Sequence, residues 1–428
     1  MSNELLRPWQ SDITTVAVSA VLGLLLYFQG FDVAFAADFS EALLRDSKLN
    51  LQLRSYYLNR DKSNATDSES WAGGGWLEYR SGWAYDTFAL GLTQYTSQKL
   101  YGPADKDGAA LLAPGQQSYS VLGEAYASIK FFEQIFSLGR FLLDTHEENP
   151  QDSRMTPRTF EGATLSGKFG IVEYIAGYTT KMKQRNSNDF VDVATIAGAP
   201  SSVHEPKLSI SMHVKPDENL IFSLSSYRIK DVLASSYLDA SHTIPMADDA
   251  KLRLNAQYLY QSSTGDNLLT GSSFFTDTAG LKIDWLQGPF ALSGILMKTD
   301  SGAAYRTPFG SWQGYTCRMI TNFNRAGEQV WAVDAAMSFD RMGVTGLSMN
   351  ASITYGDHAI NAATGSALPN NTEYNFSADY SFSASTWPHW LQPLQIKASS
   401  GLLEQQLNGT SETVAENRLV FNYKAELK

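Results

Sequence analysis

Residues 45–61 read RDSKLNLQLRSYYLNRD. Leu49, Leu51 and Leu53 alternate with Asn50, Gln52 and Arg54, and two tyrosines and Arg60 follow. Successive side chains of a strand point to opposite faces, so Arg54 lies on the face away from the leucines. Two settings accept that pattern. In a soluble sandwich the leucines face the core and the arginine faces water. In a membrane barrel the leucines face lipid and the arginine faces an enclosed pore.

Outward from that strand the two-residue period continues. Phe88, Leu90 and Leu92 alternate with small or polar residues, and Leu252, Leu254, Ala256, Tyr258 and Tyr260 alternate with Lys251, Arg253, Asn255 and Gln257. Leu281, Ile283 and Trp285 flank Lys282 and Asp284, and Leu419, Phe421 and Tyr423 lie opposite Arg418, Val420 and Asn422. Short turns are expected near 81–84, 131–133, 167–170, 216–219, 245–249, 287–289, 340–345 and 387–393. Between them run polar or Gly-rich stretches at 60–70, 97–118, 142–157, 182–205, 230–233 (the shortest), 262–272, 300–328, 357–371 and 404–415. Eight turns and nine loops predict 18 strands with both termini on one side. Sorting connections by parity is an outer-membrane barrel pattern that a soluble sandwich has no reason to adopt.

Composition agrees. Charged residues are 18% of the 428, below the roughly 25% of soluble domains, and aromatics are 12%. Tyr57, Trp71, Trp76, Tyr79, Trp83, Tyr95, Tyr119, Trp285, Tyr355, Trp387, Trp390 and Tyr423 fall at or near expected strand ends, where interfacial girdles place rings. The net charge of −11 argues against nucleic-acid binding. A single cysteine, Cys317, rules out an internal disulfide, and six scattered histidines have no metal-like spacing. No cofactor is expected. Thr14–Phe28 is apolar and Ala34-Phe35-Ala36 follows, so residues 1–36 are expected to be an export signal and 37–428 the barrel; the alternative is a buried N-terminal helix.

Five ordered stretches carry a family resemblance: DSKLNLQLRSYYLNRD (46–61), SRMTPRTFEG (153–162), IKDVLASSYLDASHTIPM (229–246), RAGEQVWAVDAAMSFDRMGVTGLSMNASITYGDHA (325–359) and ENRLVFNYKAELK (416–428). They resemble the OprD-type outer-membrane porins, the outer-membrane carboxylate channels. The resemblance implies an all-β, 18-strand transmembrane antiparallel barrel in the outer membrane of a Gram-negative bacterium, with short periplasmic turns and long loops folded into the lumen. It implies passive uptake of small carboxylate-bearing molecules, contact with outer-membrane lipid and lipopolysaccharide, and a monomer or weak trimer. It also implies a lumen series of basic side chains, carried here onto Arg54, Arg60, Arg154, Lys397 and Arg418.

Strand parity independently turns Arg54, Arg253, Lys282, Lys397 and Arg418 inward. A lipid-facing arginine at midplane would cost about 2–4 kcal/mol. Arg140 and Arg158 flank the third long loop, which also holds Asp144, Glu147, Glu148 and Asp152; folded inward, these acids are expected to oppose the basic side. The seventh loop offers Asp300, Ser301, Tyr305 and Tyr315 for a substrate pocket. NASITYG (350–356) lacks the arginine that the family often places there, a missing rung unless Arg253 compensates. The alternatives are inward cations that only hold inward acids, an adhesin or structural barrel, and a secreted β-rich enzyme; no catalytic signature supports the last.

Overall fold

The computed structural model describes residues 41–384 and 386–428. The expected leader over 1–36 lies outside them. The strands are β1 (Lys48–Lys62), β2 (Ser68–Arg80), β3 (Phe88–Tyr101), β4 (Tyr119–Phe131), β5 (Gln134–Phe141), β6 (Thr159–Phe169), β7 (Val172–Lys183) and β8 (Phe190–Asp192). Then come β9 (Lys207–Val214), β10 (Leu220–Ile229), β11 (Leu233–Pro245), β12 (Ala250–Ser262), β13 (Phe275–Gln287) and β14 (Phe290–Thr299). The last five are β15 (Gln329–Ser338), β16 (Leu347–Asp357), β17 (Asn370–Ser381), β18 (Leu394–Leu407) and β19 (Thr410–Glu426).

Each barrel strand pairs antiparallel with its sequence neighbours, and β1 pairs with β19 to close the ring. β7 pairs directly with β9. β8 is therefore a three-residue flap on the end of β7, and the barrel has the 18 strands expected. Closure removes every open edge, so backbone groups are satisfied within the sheet, as a hydrocarbon environment demands. Alternation decides which face meets lipid. Leu281, Leu296, Trp331 and Tyr355 stand opposite one another on four successive strands, and the first three are exposed. Leu53, Leu77, Leu254, Ile283, Phe376 and Leu419 continue this apolar outer surface.

All eight expected short turns join strands on one side. Two of the longer connections are shorter than the sequence suggested. The stretch 60–70 is mostly strand, with only 63–67 between β1 and β2, and 404–415 is a hairpin joined by Asn408 and Gly409. Both residues have positive φ, 50° and 81°, the two-residue turn that matches strand twist. Polar residues there belong to strands that rise past the membrane, where both faces meet water.

The buried apolar residues lie mainly inside the barrel mouth. Tyr56 and Leu58 point inward and pack with Ala109, Leu111, Leu112 and Met155, so the second and third loops cover them. Phe160, Tyr227, Ile229 and Phe309 pack with Val193 and Ala194 of a short helix, α1 (Val193–Ala197), in the fourth loop. Three rings expected in the girdle also point inward. Trp76 lies beside Arg54 at 5.2 Å, Tyr95 donates to Glu124 at 2.7 Å, and Tyr119 bonds Thr156 at 2.9 Å. Their registers fall on the lumen face, where charged and polar partners meet their polar edges.

Candidate functional site

The third loop, 142–158, crosses the lumen. At one end Arg54 of β1 donates to Asp152 at 2.5 and 3.0 Å and to the carbonyl of Arg154 at 2.5 Å. At the other end Glu147 accepts from Ser235 of β11 and from Tyr305 at 2.9 Å, and Glu148 pairs with Lys207 of β9. In an 18-strand ring β11 stands nine strands from β1 in either direction, so the loop spans the full diameter. Lys207 is wholly buried, with its ammonium 4.6 Å from the Phe160 ring and 4.4 Å from Phe309.

The seventh loop, 300–328, meets the third. Asn149 donates its backbone N–H to Phe309 and accepts from Ser311 at 3.0 Å, while Arg158 donates to the carbonyls of Pro308 and Gly310. Its far part is fixed to β17 and β19. Glu373 of β17 accepts the N–H groups of Ile320 and Thr321 at 2.9 Å each, and Arg418 donates to the Met319 carbonyl at 2.6 Å. Beside the joined loops lies a cavity of about 600 Å³, lined in part by Asp144, His146, Asp152, His213 and Gln313.

The sequence-derived residues divide into groups. Arg54, Arg60, Arg154 and Arg418 sit on the wall formed by β1, β19 and the third loop. Arg60 and Arg418 both pair with Glu416, and Arg154 donates to the Ala109 carbonyl at 2.9 Å. Arg158 lies in the same quarter. Burial pushes its guanidinium down to about 10. Arg253 and Lys397 share the inward parity of their strands and are exposed to the lumen, Arg253 on β12 and Lys397 on β18 opposite Val420, two residues from Arg418 on β19. Lys282 pairs with Asp284 at 3.1 Å and Arg140 with Glu161 at 2.8 Å, so these two hold wall acids. Tyr315 donates to Asp239 at 2.6 Å.

Several expectations are corrected. Glu147 and Glu148 do not face the arginines across the opening; they turn into the wall as anchors, and burial pushes the Glu147 carboxyl up to about 7. Tyr305 is buried with them. Asp300 and Ser301 lie at the root of the seventh loop rather than on the cavity, with the Asp300 carboxylate accepting the Gly302 N–H at 2.6 Å.

Other residues were missed. Arg185, in the fourth loop, donates to Ser153 at 2.6 Å; burial, with Arg154, Arg158 and Arg418 nearby, pushes it down to about 9. Lys183 is buried on the carbonyls of Pro157 and Gln184. Arg318, from the seventh loop, donates to Thr354 at 2.6 Å and pairs with Asp334 at 2.8 Å. It therefore stands beside the strand that lacks the expected rung. Only loop conformation brings Arg185 and Arg318 in, while Lys183 ends β7 in two-residue step with the buried Gly177 and Thr179.

A closed barrel with an apolar outside and a lumen narrowed by inserted loops is an outer-membrane channel. The OprD family of outer-membrane porins matches residues 41–427, and the chain belongs to that family. Porin D of Pseudomonas aeruginosa is 27% identical over 344 residues, covering 74% of this chain and 75% of that one. The crystal structure of Pseudomonas aeruginosa OccK9 (OpdG) superposes with a TM-score of 0.80 at 22% identity, over 90% of this chain and 100% of that one. A BenF-like porin from Pseudomonas fluorescens Pf-5 gives 0.78 at 18% identity, with the same coverage. The family consists of channels, not enzymes, and places the chain in the Gram-negative outer membrane.

Proposed function

We propose that the channel selects small molecules bearing a carboxylate. The observation that carries this is the charge of one lumen wall. Arg54, Arg60, Arg154, Arg158, Lys183, Arg185 and Arg418 gather there, against the carboxylates Asp152 and Glu416. Burial lowers the pKa of the loop arginines, and for Arg154 and Arg185 neighbouring arginines add to it. A carboxylate entering this narrow passage loses water, and guanidinium groups replace it with paired, charge-assisted hydrogen bonds while staying ionised. Several modest contacts in succession suit conduction better than one deep site, because the solute must also leave. Low-dielectric walls strengthen the field of each charge. Arg253 and Lys397 extend the positive lumen surface beyond the constriction. Amino acids and cyclic or aromatic carboxylates both present the group that this wall reads.

The test is liposome swelling with arginine, benzoate, glucuronate and neutral sugars of similar size. Arg54→Ala or Arg418→Ala is expected to lower carboxylate flux more than sugar flux. Equal losses would mean that these residues shape the pore without reading charge.

A further inference from the structure

The wall opposite the arginines carries a feature that carboxylate recognition does not use. His146 of the third loop and His213 of β9 both line the cavity, with ring centroids 5.2 Å apart. His146 stacks on Tyr237 of β11 at 4.4 Å, and its buried Nδ1 has no hydrogen-bond partner among the described residues. His213 Nδ1 meets the Ser223 hydroxyl at 3.1 Å, a partner that serves either as donor or as acceptor.

The charged and titratable groups facing the pair come from three further directions. Asp144, Asp152 and the buried Glu147 lie on the third loop. Asp239 and Tyr237 lie on β11. Tyr315 of the seventh loop donates to Asp239, while Tyr305 of that loop and Lys207 of β9 sit behind, around Glu147 and Glu148. With both imidazoles neutral, this side is negative through Asp144 on the cavity lining and Asp239, which is near His146. Burial and the neighbouring His213 hold His146 below the ordinary imidazole range, while the two aspartates pull it the other way. Two cations so close repel, so the pair takes up one proton before the other.

We propose that His146 and His213 are specificity-determining residues that set, by protonation, whether the constriction accepts a cationic group at the substrate end opposite its carboxylate. Neutral, the pair leaves Asp144 and Asp239 to receive that group; protonated, it cancels one aspartate and repels the cation. This rests on the carboxylate reading for the far wall, and the assay separates the two.

The purified full chain in liposomes is tested with L-arginine, benzoate and a neutral sugar at pH 7.5 and pH 5.5. The arginine-to-sugar permeability ratio is expected to fall about threefold on acidification, the Boltzmann factor for one added unit charge about 6 Å away in water. His146→Asn/His213→Asn is expected to hold the ratio constant. If that double variant does not assemble, His213→Asn, which leaves His146 on Tyr237, must show a smaller fall than wild type. Glu147→Gln must leave the fall in place, because Glu147 also titrates near this window. An unchanged wild-type ratio, an equal fall in the histidine variants, or loss of the fall in Glu147→Gln each overturns the proposal. The benzoate-to-sugar ratio reports separately on the carboxylate reading, which fails if benzoate gains no advantage at either pH.

Discussion

Removing the carboxylate of Glu148 should unfasten the third loop. Lys207 is fully buried, with Glu148 as its carboxylate and the faces of Phe160 and Phe309 as its other neighbours. Glu148→Ala leaves the ammonium buried without its paired carboxylate; the rings and the nearby Glu147 are present in both proteins and so cancel from the difference. Breaking a buried pair from one side costs about 3–5 kcal/mol. Lys207→Met strands the carboxylate in the same way and should cost a similar amount. The double variant Glu148→Leu/Lys207→Met removes both charges and is expected within about 2 kcal/mol of wild type, because an apolar replacement of a whole buried pair is often near neutral. With Glu148→Leu and Lys207→Met as the two single variants of the cycle, the coupling should therefore exceed about 3 kcal/mol. Urea unfolding in lipid, followed by tryptophan fluorescence, measures it. Single-channel records of Glu148→Ala should show larger and noisier currents as the loop leaves the lumen. Coupling below about 0.5 kcal/mol, the scatter of independent sites, would refute the role of this pair as the loop's anchor.

Two further outcomes concern the other anchors. Glu373→Ala frees the N–H groups of Ile320 and Thr321; charged hydrogen bonds contribute about 1.5–3 kcal/mol each, so the seventh loop should detach and conductance rise, and an unaltered conductance would show that the loop holds without it. Glu147 keeps its proton up to about 7 when folded, against 4.5 for the free side chain. The folded chain therefore binds more protons between those values. Its stability should fall as pH rises through that window and level off above it, and Glu147→Gln should flatten the profile in urea unfolding across pH 4–8.

The barrel was legible because a membrane imposes a strict two-residue period and short turns carry Gly, Pro and Asp. RDSKLNLQLRSYYLNRD set Arg54 on the face opposite the leucines, the sorting of turns and loops along the chain decided which face meets lipid, and Arg54 lies inward. The extent of the strands was less legible. Polar residues at 60–70 and 404–415 read as loop, although Asn408-Gly409 is a hairpin signal in its own right. At the site, wall cations were readable and loop residues were not. Whether Glu147 faces a pore or a wall depends on Ser235 and Tyr305, which lie 88 and 158 residues away in sequence. Arg185 and Arg318 entered the lumen by the same kind of distant packing. Lys207 was hidden for a different reason: a lysine at a strand end reads as solvated until the loops close over it.

The third loop joins a wall of guanidinium groups on β1 and β19 to one bearing Asp239 on β11, half a circumference away. Opposite charges on opposite walls make a field that runs across the channel rather than along it. Such a field does no net work on a solute moving down the axis. It acts as a torque, turning a molecule with separated charges broadside before it can pass. What the passage then measures is the separation between a solute's two ends as well as its girth, and an isomer with the same charge and volume but a shorter span would be held less firmly in line.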